Sequence, residues 1–354
     1  MKRVCCLLLV VLLLGGCKPQ EDTSGQVIVT GLGIEKQDGG FRLSVQAIEA
    51  LRIGGSLSEQ NEPATAVYTA KGASVAEALQ AFLNETGKRA YILQNQLLAV
   101  SLEQCRGTSL PETLDYFMRN RDGHSQVPLV LCRGETAPLL AITAGNDAIP
   151  AEYVSQMLAE GHRLSQCVTA QLLDVERDLA GTLDAVVPIL EVRDNTPQFS
   201  GTALFCRGRF LGELTNRETT ALLLAAGEGT NCLYTHGGAT YRLENIRSRI
   251  EVLSQKNGLE YRVAIAAAAR TVEHDTGNTA SSISAAANAL EEEIGNALMR
   301  TVRDLRADPL GLSRRAAARY RQNGVTAETA RAALPSALIS VTVKLTYADN
   351  GFIA

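Results

Sequence analysis

Two periods of hydrophobic and polar positions divide this chain into strands and helices. Residues 26–35 are rich in β-branched side chains, and residues 41–47 (Phe-Arg-Leu-Ser-Val-Gln-Ala) alternate apolar and polar at period two. The intervening Lys36-Gln37-Asp38-Gly39-Gly40 supplies turn chemistry, so the two segments are predicted to form a hairpin. Ser74-Val75-Ala76-Glu77 is a capping box, followed by Val75, Ala78, Leu79, Phe82 and Leu83 at helical spacing and by Gly87 as a stop. Strand-like segments follow at 89–93 and 97–101. A second capping box, Ser109-Leu110-Pro111-Glu112, opens a helix with Leu110, Leu114, Phe117 and Met118 on one face.

Periodicity is lost over Val-Arg-Asp-Asn-Thr-Pro-Gln at residues 192–198, which predicts a domain boundary and linker there. Beyond it the order of elements changes. Segments 201–206 and 209–214 flank Arg207-Gly208 as a tight hairpin, and Thr215-Asn216-Arg217-Glu218 caps a helix ending near Gly227. Residues 241–252 and 261–267 read as long strands joined through Gln255-Lys256-Asn257-Gly258. The longest helix starts near Ser282, with Ile283, Ala287, Leu290, Ile294, Leu298, Thr301 and Leu305 along one amphipathic face. Asp308-Pro309-Leu310-Gly311 breaks it, a short basic helix follows, and residues 339–347 alternate as a last strand. Hairpins followed by long helices predict a multi-domain α+β protein with antiparallel or mixed sheets, each covered by helices, the second on one side only. The expected domains are 26–195 and 196–354. No internal repeat is visible, and regular βα alternation is missing from the second half.

Residues 1–25 have a different pattern. Lys2 and Arg3 precede an unbroken apolar run from Val4 to Leu14, and the next charge is Lys18. A bilayer core about 30 Å thick needs roughly 20 apolar residues in a helix, so this run has the length of a signal-peptide core and is too short for a retained anchor. It ends in Leu14-Gly15-Gly16-Cys17, which resembles the lipobox of bacterial lipoproteins: Leu14, Gly15 and Gly16 form the peptidase recognition site and Cys17 becomes the first mature residue. Gly16 leaves the scissile bond accessible, and a thiol can take up a diacylglyceryl group as a thioether. The alternative is an ordinary signal peptide followed by an accidental cysteine. Residues 1–16 are therefore expected to be removed, with 17–25 as a lipidated tether reaching at most ~26 Å at ~3.3 Å per residue.

Composition narrows the function. With 45% hydrophobic and 20% charged residues the chain has enough apolar content for a sizeable core, and its 354 residues favour two domains. The formal charge of −4 becomes more negative once Lys2 and Arg3 are lost, which argues against a nucleic-acid partner. Of eight cysteines, Cys5 and Cys6 leave with the signal and Cys17 is consumed. The rest, Cys105, Cys132, Cys167, Cys206 and Cys232, are widely spaced with no CxxC, as expected of small buried hydrophobes and not of a disulfide framework or zinc site.

A search for catalytic patterns returns no HExxH, GxSxG, Walker A loop or GxGxxG. Gly31 and Gly33 lack a third glycine and sit in a strand. His124, His162, His236 and His274 are far apart, and Glu291, Glu292 and Glu293 must fan around a helix. One charge feature remains: Arg300, Arg303, Arg306, Arg314, Arg315, Arg319 and Arg321 are opposed only by Asp304 and Asp308. Arg314, Arg315 and Arg319 are the candidate patch for an anionic membrane or an acidic partner; the alternative is an ordinary exposed helix surface.

Taken in order, several segments resemble the Ger(x)C family, the lipoprotein subunits of nutrient germinant receptors in spore-forming bacteria. They are Cys17 in its lipobox; Gly31-Leu32-Gly33-Ile34-Glu35; Arg89-Ala90-Tyr91-Ile92 leading to Leu97-Leu98-Ala99-Val100; and Leu114-Asp115-Tyr116-Phe117-Met118-Arg119-Asn120. Gly201-Thr202-Ala203-Leu204-Phe205, Phe210-Leu211-Gly212-Glu213-Leu214, Asp308-Pro309-Leu310-Gly311 and the terminal strand complete the series. The chain departs from the family in having Asn95-Gln96 where a histidine is frequent, and in having no tryptophan. The resemblance implies a protein without cofactor or catalysis, anchored on the outer face of the spore inner membrane and assembled with two integral-membrane receptor subunits. From another class come two alternatives, a solute-binding lipoprotein and a cell-wall enzyme.

Overall fold

The computed structural model describes residues 25–37, 39–48, 65–120, 126–143, 149–181, 183–255, 258–273 and 279–348. The chain begins with the expected hairpin of β1 (Gln26–Gln37) and β2 (Gly40–Ile48), with Gln37 opposite Gly40. β3 (Thr65–Gly72) pairs antiparallel with β2. Helix α1 (Val75–Thr86) starts where the Ser74 side chain accepts from the Glu77 amide and stops at a left-handed Gly87. β4 (Arg89–Tyr91) and β5 (Leu97–Ser101) both run parallel to β1. Next come α2 (Leu102–Cys105), α3 (Leu110–Arg119), β6 (Leu129–Cys132), α4 (Ala137–Leu140), α5 (Pro150–Arg163) and α6 (Leu172–Ala180). β7 (Ala185–Arg193), β8 (Thr196–Cys206) and β9 (Arg209–Leu214) then finish a nine-stranded sheet of order β3-β2-β1-β5-β6-β7-β8-β9, with β4 beside β1.

The centre of this sheet, β1, β5, β6 and β7, is parallel. Both of its faces are covered. Leu98, Val100, Leu129 and Leu131 pack with α1, α3 and α6 on one side, while Leu97, Ala99 and Val130 pack with α4 and α5 on the other. Gly31 and Gly33 serve that second face. A Cβ on Gly33 would lie 2.2 Å from Thr136 Oγ1, and one on Gly31 would lie 2.7 Å from Leu140 Cδ2, so glycine lets the α4 segment approach the strand.

Residues 192–198 are not a linker. They are the tip of the β7–β8 hairpin, with Arg193 opposite Thr196. Asp194 and Asn195 have φ of 48° and 58°, the left-handed pair that a two-residue hairpin turn of right-handed twist requires. Short polar side chains tolerate that conformation, which is why a stretch without periodicity still holds two strands together. Ser109 also differs from its capping-box reading. It occupies the cap position but its side chain accepts no helix amide; the Leu110 amide instead donates to the carbonyl of Gly208, in the β8–β9 turn, at 3.0 Å.

In the second half, α7 (Asn216–Ala226) has a complete capping box between Thr215 and Glu218. β10 (Asn231–His236), β11 (Ala239–Gln255) and β12 (Gly258–Glu273) form an antiparallel meander. α8 (Thr279–Met299) runs on into a π-helical turn, Arg300–Asp304, before α9 (Leu312–Arg319) and α10 (Ala327–Ala333). The last strand, β13 (Leu338–Tyr347), lies parallel to β12, so this sheet is mixed. Ile283, Leu290, Ile294 and Leu298 of α8 and Leu222 and Leu224 of α7 pack on one of its faces. On the opposite face Arg249, Arg262, Ala264, Ala266, Thr342 and Lys344 are exposed. Leu204 of β8 and Leu214 of β9 join the second half's core, which makes the seam between the two sheets continuous apolar packing. No helix among the described residues is long and apolar enough to cross a membrane.

Candidate functional site

Leu14, Gly15, Gly16 and Cys17 lie outside the described residues, as do His124 and His274. Of the remaining candidates, Arg300 and the Asp308–Gly311 motif lie at the seam between the two halves. At its centre is Asp184, just before β7, whose side chain is 1% exposed. Its Oδ2 accepts from Arg331 Nη2 of α10 at 2.6 Å and from the Asp308 amide at 2.6 Å. Arg331 also reaches the carbonyl of Arg306 at 3.2 Å. Burial alone would lower the Arg331 pKa; the hydrogen bond and charge of Asp184 outweigh it and hold the guanidinium charged.

Asp308 explains the Asp-Pro-Leu-Gly motif physically. Its carboxylate accepts from the amides of Leu312 at 2.6 Å and Ser313 at 2.9 Å and from the Ser313 hydroxyl at 2.5 Å, which caps α9. Burial pushes the Asp308 carboxyl up, opposed by these hydrogen bonds. Gly311 has φ of 62°, and a Cβ there would meet Leu183 Cδ2 at 2.8 Å. The motif thus ends the long helix, starts the next, and presses against the chain beside Asp184.

A second set of ionic contacts crosses the seam at Glu213 of β9. Its carboxylate accepts from Arg106 Nη2 at 2.6 Å and Arg133 Nη2 at 2.7 Å. Its carbonyl accepts from Arg300 Nη1 at 3.1 Å, and Arg300 also donates to both Glu218 oxygens at 2.8 Å. Burial would raise the Glu213 carboxyl, but the two arginines hold it below its ordinary value.

The arginine run is consequently divided. Arg300 is consumed in the seam, and Arg303 donates to the Ala337 carbonyl at 3.4 Å. Arg314, Arg315 and Arg319 remain exposed together on α9, with Arg315 Nε donating to the Leu310 carbonyl at 3.2 Å. The three glutamates fan apart: Glu291 accepts from the Val343 amide at the edge of β13, and Glu293 from the Tyr234 hydroxyl. His162 Nδ1 lies 3.1 Å from the Cys167 carbonyl, and His236 stacks on Tyr234. Cys105, Cys132, Cys167, Cys206 and Cys232 are free thiols, and all but Cys206 are buried. Burial pushes the first three up to about 12 and Cys232 to about 11. Among the described residues no three His, Cys, Asp or Glu side chains are placed to hold a metal ion.

Asp184 and Arg331 were not recognisable from sequence. A lone aspartate after a helix and a lone arginine in a later helix carry no spacing signal, and only the nearby Asp308–Gly311 motif pointed to the region. Their pairing borders a cavity of about 500 Å³ whose walls come from both halves.

Comparison with known proteins places this architecture. A model of the spore germination protein N-terminal domain matches residues 21–192, and a model of the spore germination B3/GerAC-like C-terminal domain matches residues 200–351. The chain belongs to the Ger(x)C family of spore germination proteins. A Ger(x)C relative, spore germination protein KC of Bacillus subtilis (strain 168), is 25% identical over 189 residues, covering 51% of this chain and 46% of that protein. The match therefore spans less than half of the relative's length. The crystal structure of the GerBC protein superposes with a TM-score of 0.59 at 13% identity, over 90% of this chain and 97% of that one, so the fold is shared. In this Ger(x)C chain the division between the two family models falls on the β7–β8 hairpin, and strand pairing runs across it.

Proposed function

We propose that this Ger(x)C chain is the lipid-anchored, non-catalytic subunit of a spore nutrient germinant receptor. The observation that carries the reading is the match of both family models, one to each half of the chain. The sequence at Leu14–Cys17 supports the anchor: after cleavage, Cys17 carries acyl chains, and more than one is needed for stable attachment because a single chain binds a membrane only marginally. The tether then holds the folded part beside the outer face of the spore inner membrane. There it assembles with two integral-membrane subunits, and weak contacts suffice because tethering raises the effective concentration. Arg314, Arg315 and Arg319, exposed on one helix, are the proposed patch toward membrane or partner.

Spores lacking this chain, in a strain without other receptors of its type, are expected not to release cations in response to nutrient. They are expected to germinate normally by receptor-independent routes. A wild-type nutrient response in those spores contradicts the proposal.

A further inference from the structure

The four-stranded sheet lacks the second helical layer that covers the nine-stranded sheet, and its bare face has an ordered charge pattern. Cross-strand partners share a face, so the register places Leu233, Arg242 and Arg270 in one row. Arg247, Ala266 and Lys344 form another row, and Arg249, Ala264 and Thr342 a third. A bulge between Glu244 and Arg247, with Asn245 at φ of 54°, shifts the alternation of β11 by one residue. It turns Arg247 and Arg249 outward and Ile246 and Ile250 toward the core. Arg242 and Arg270 are direct cross-strand partners, a like-charge pairing that costs stability. Down the middle β12 places Ala264, Ala266 and Ala268, although strands favour β-branched and aromatic residues. Of the carboxylates on this face, Glu251 and Glu260 are taken by Arg249 and Arg262. Glu244 and Glu273 are left against Arg242, Arg247, Arg270 and Lys344, four cations without an ion pair or side-chain hydrogen bond among the described residues. Positive charge is thus in excess here, the reverse of the whole chain with its 38 acidic and 34 basic residues.

The dimensions suit a helix. From Arg262 to Arg270 β12 runs about 26 Å at ~3.3 Å per residue, the length of roughly 17 helical residues. The rows on β11 and β13 stand about 10 Å apart across the alanines, close to a helix diameter. All the cations but Lys344 are arginines, whose planar fork matches carboxylates and which are enriched at protein interfaces, where lysine is depleted. The large exposed hydrophobics of the face, Leu233 and Leu338, stand at opposite corners, so the described residues offer no apolar cluster to enter a bilayer. We infer that this face docks an acidic amphipathic helix of a partner protein, its small residues against Ala264, Ala266 and Ala268 and its Asp or Glu side chains toward Arg242, Arg247, Arg270 and Lys344. The docked helix supplies the missing layer and relieves the repulsion between Arg242 and Arg270. Docking here stands or falls separately from the receptor reading, because its readout is the identity of the bound segment and not germination.

The test is photo-crosslinking in sporulating cells of the native host, with a diazirine amino acid in place of the exposed Thr342 and mass spectrometry of the products. A cross-link is expected to one protein segment of helical period with acidic residues in excess. The neutral variant R242Q/R247Q/R270Q/K344Q, carrying the same probe, is expected to lower its yield at least tenfold at equal accumulation. The thermal midpoint of that purified variant should not fall, since a repulsive pair is removed. Ala266→Trp fills the alanine strip without changing charge, suits a strand, and is expected to lower the yield at least fivefold even if the neutral variant is unstable. Products formed only with lipid, only with a second copy of this chain, or with a segment lacking the acidic excess overturn the inference. So does the absence of any product, or undiminished yield in either variant when it is folded.

Discussion

The two sheets of this protein solve burial differently. The nine-stranded sheet has a parallel centre with helices on both faces, and every residue of β5 and β6 is buried. The four-stranded sheet has helices on one face, and along β12 buried and exposed residues alternate. The first is a scaffold whose buried polar side chains, such as Gln46 and Ser44, are hydrogen-bonded inside it; the second presents a bare face of arginine, alanine, threonine and lysine to its surroundings. Sensitivity to substitution should therefore differ sharply between equivalent strands.

Leu98→Ala in β5, at 0% exposure, is expected to cost about 3–4 kcal/mol, the range for a buried leucine that leaves a cavity. On the bare face, Thr342→Ala is expected to stay within about 0.5 kcal/mol. Denaturant unfolding of both variants checks the contrast, and equal losses would break it. The charged contacts sharpen the same comparison. Arg331→Ala strands the buried Asp184 carboxylate and is expected to cost about 3 kcal/mol, because removing one partner of a buried pair leaves an uncompensated charge. Arg249→Ala on the bare face breaks only the exposed pair with Glu251 and is expected to leave the unfolding midpoint unchanged. Next in size is Gly33→Ala, whose new methyl meets Thr136 in the two-sided sheet; about 1–3 kcal/mol of overpacking is expected in the same unfolding experiment.

Thiol chemistry gives the smallest effect and needs no substitution. At pH 8 the native protein should label with a disulfide reagent at Cys206 before Cys105, Cys132, Cys167 or Cys232. Burial holds four thiols protonated and inaccessible, whereas Cys206 is only half buried. Peptide mapping of labelled protein would show the order. Early modification of Cys132 or Cys167 would mean that the double cover of the first sheet opens readily.

The same contrast explains what the sequence made legible. One-sided burial leaves a period of two, so β12 and β13 could be recognised from alternation and the long helix from its apolar stripe. Two-sided burial erases that period. Residues 97–101 and 129–132 read as apolar runs, but nothing in them says that α4 and α5 lie on the far face. Residues 192–198 read as a linker because Asp194 and Asn195 signal a break in periodicity whether the chain turns or departs. Pairing of β7 with β8, from Arg193 opposite Thr196 outward, decides between the two, and only the folded chain expresses it. At the seam, Asp308 was visible through its motif, whereas Asp184 and Arg331, separated by more than half of the second family domain, meet only in three dimensions.

The proposal of a tethered receptor subunit is tested most directly by replacing Cys17 with alanine in spores that have no other receptor of this type, and following cation release after nutrient is added. Cys17 precedes the first strand, which starts at Gln26, and the variant protein should accumulate normally by immunoblot. Loss of the anchor lowers the local concentration of this subunit at the membrane, and at least a tenfold slower release is expected. Release at the wild-type rate, with Cys17→Ala protein present at the normal level, would contradict a role that depends on lipid anchoring.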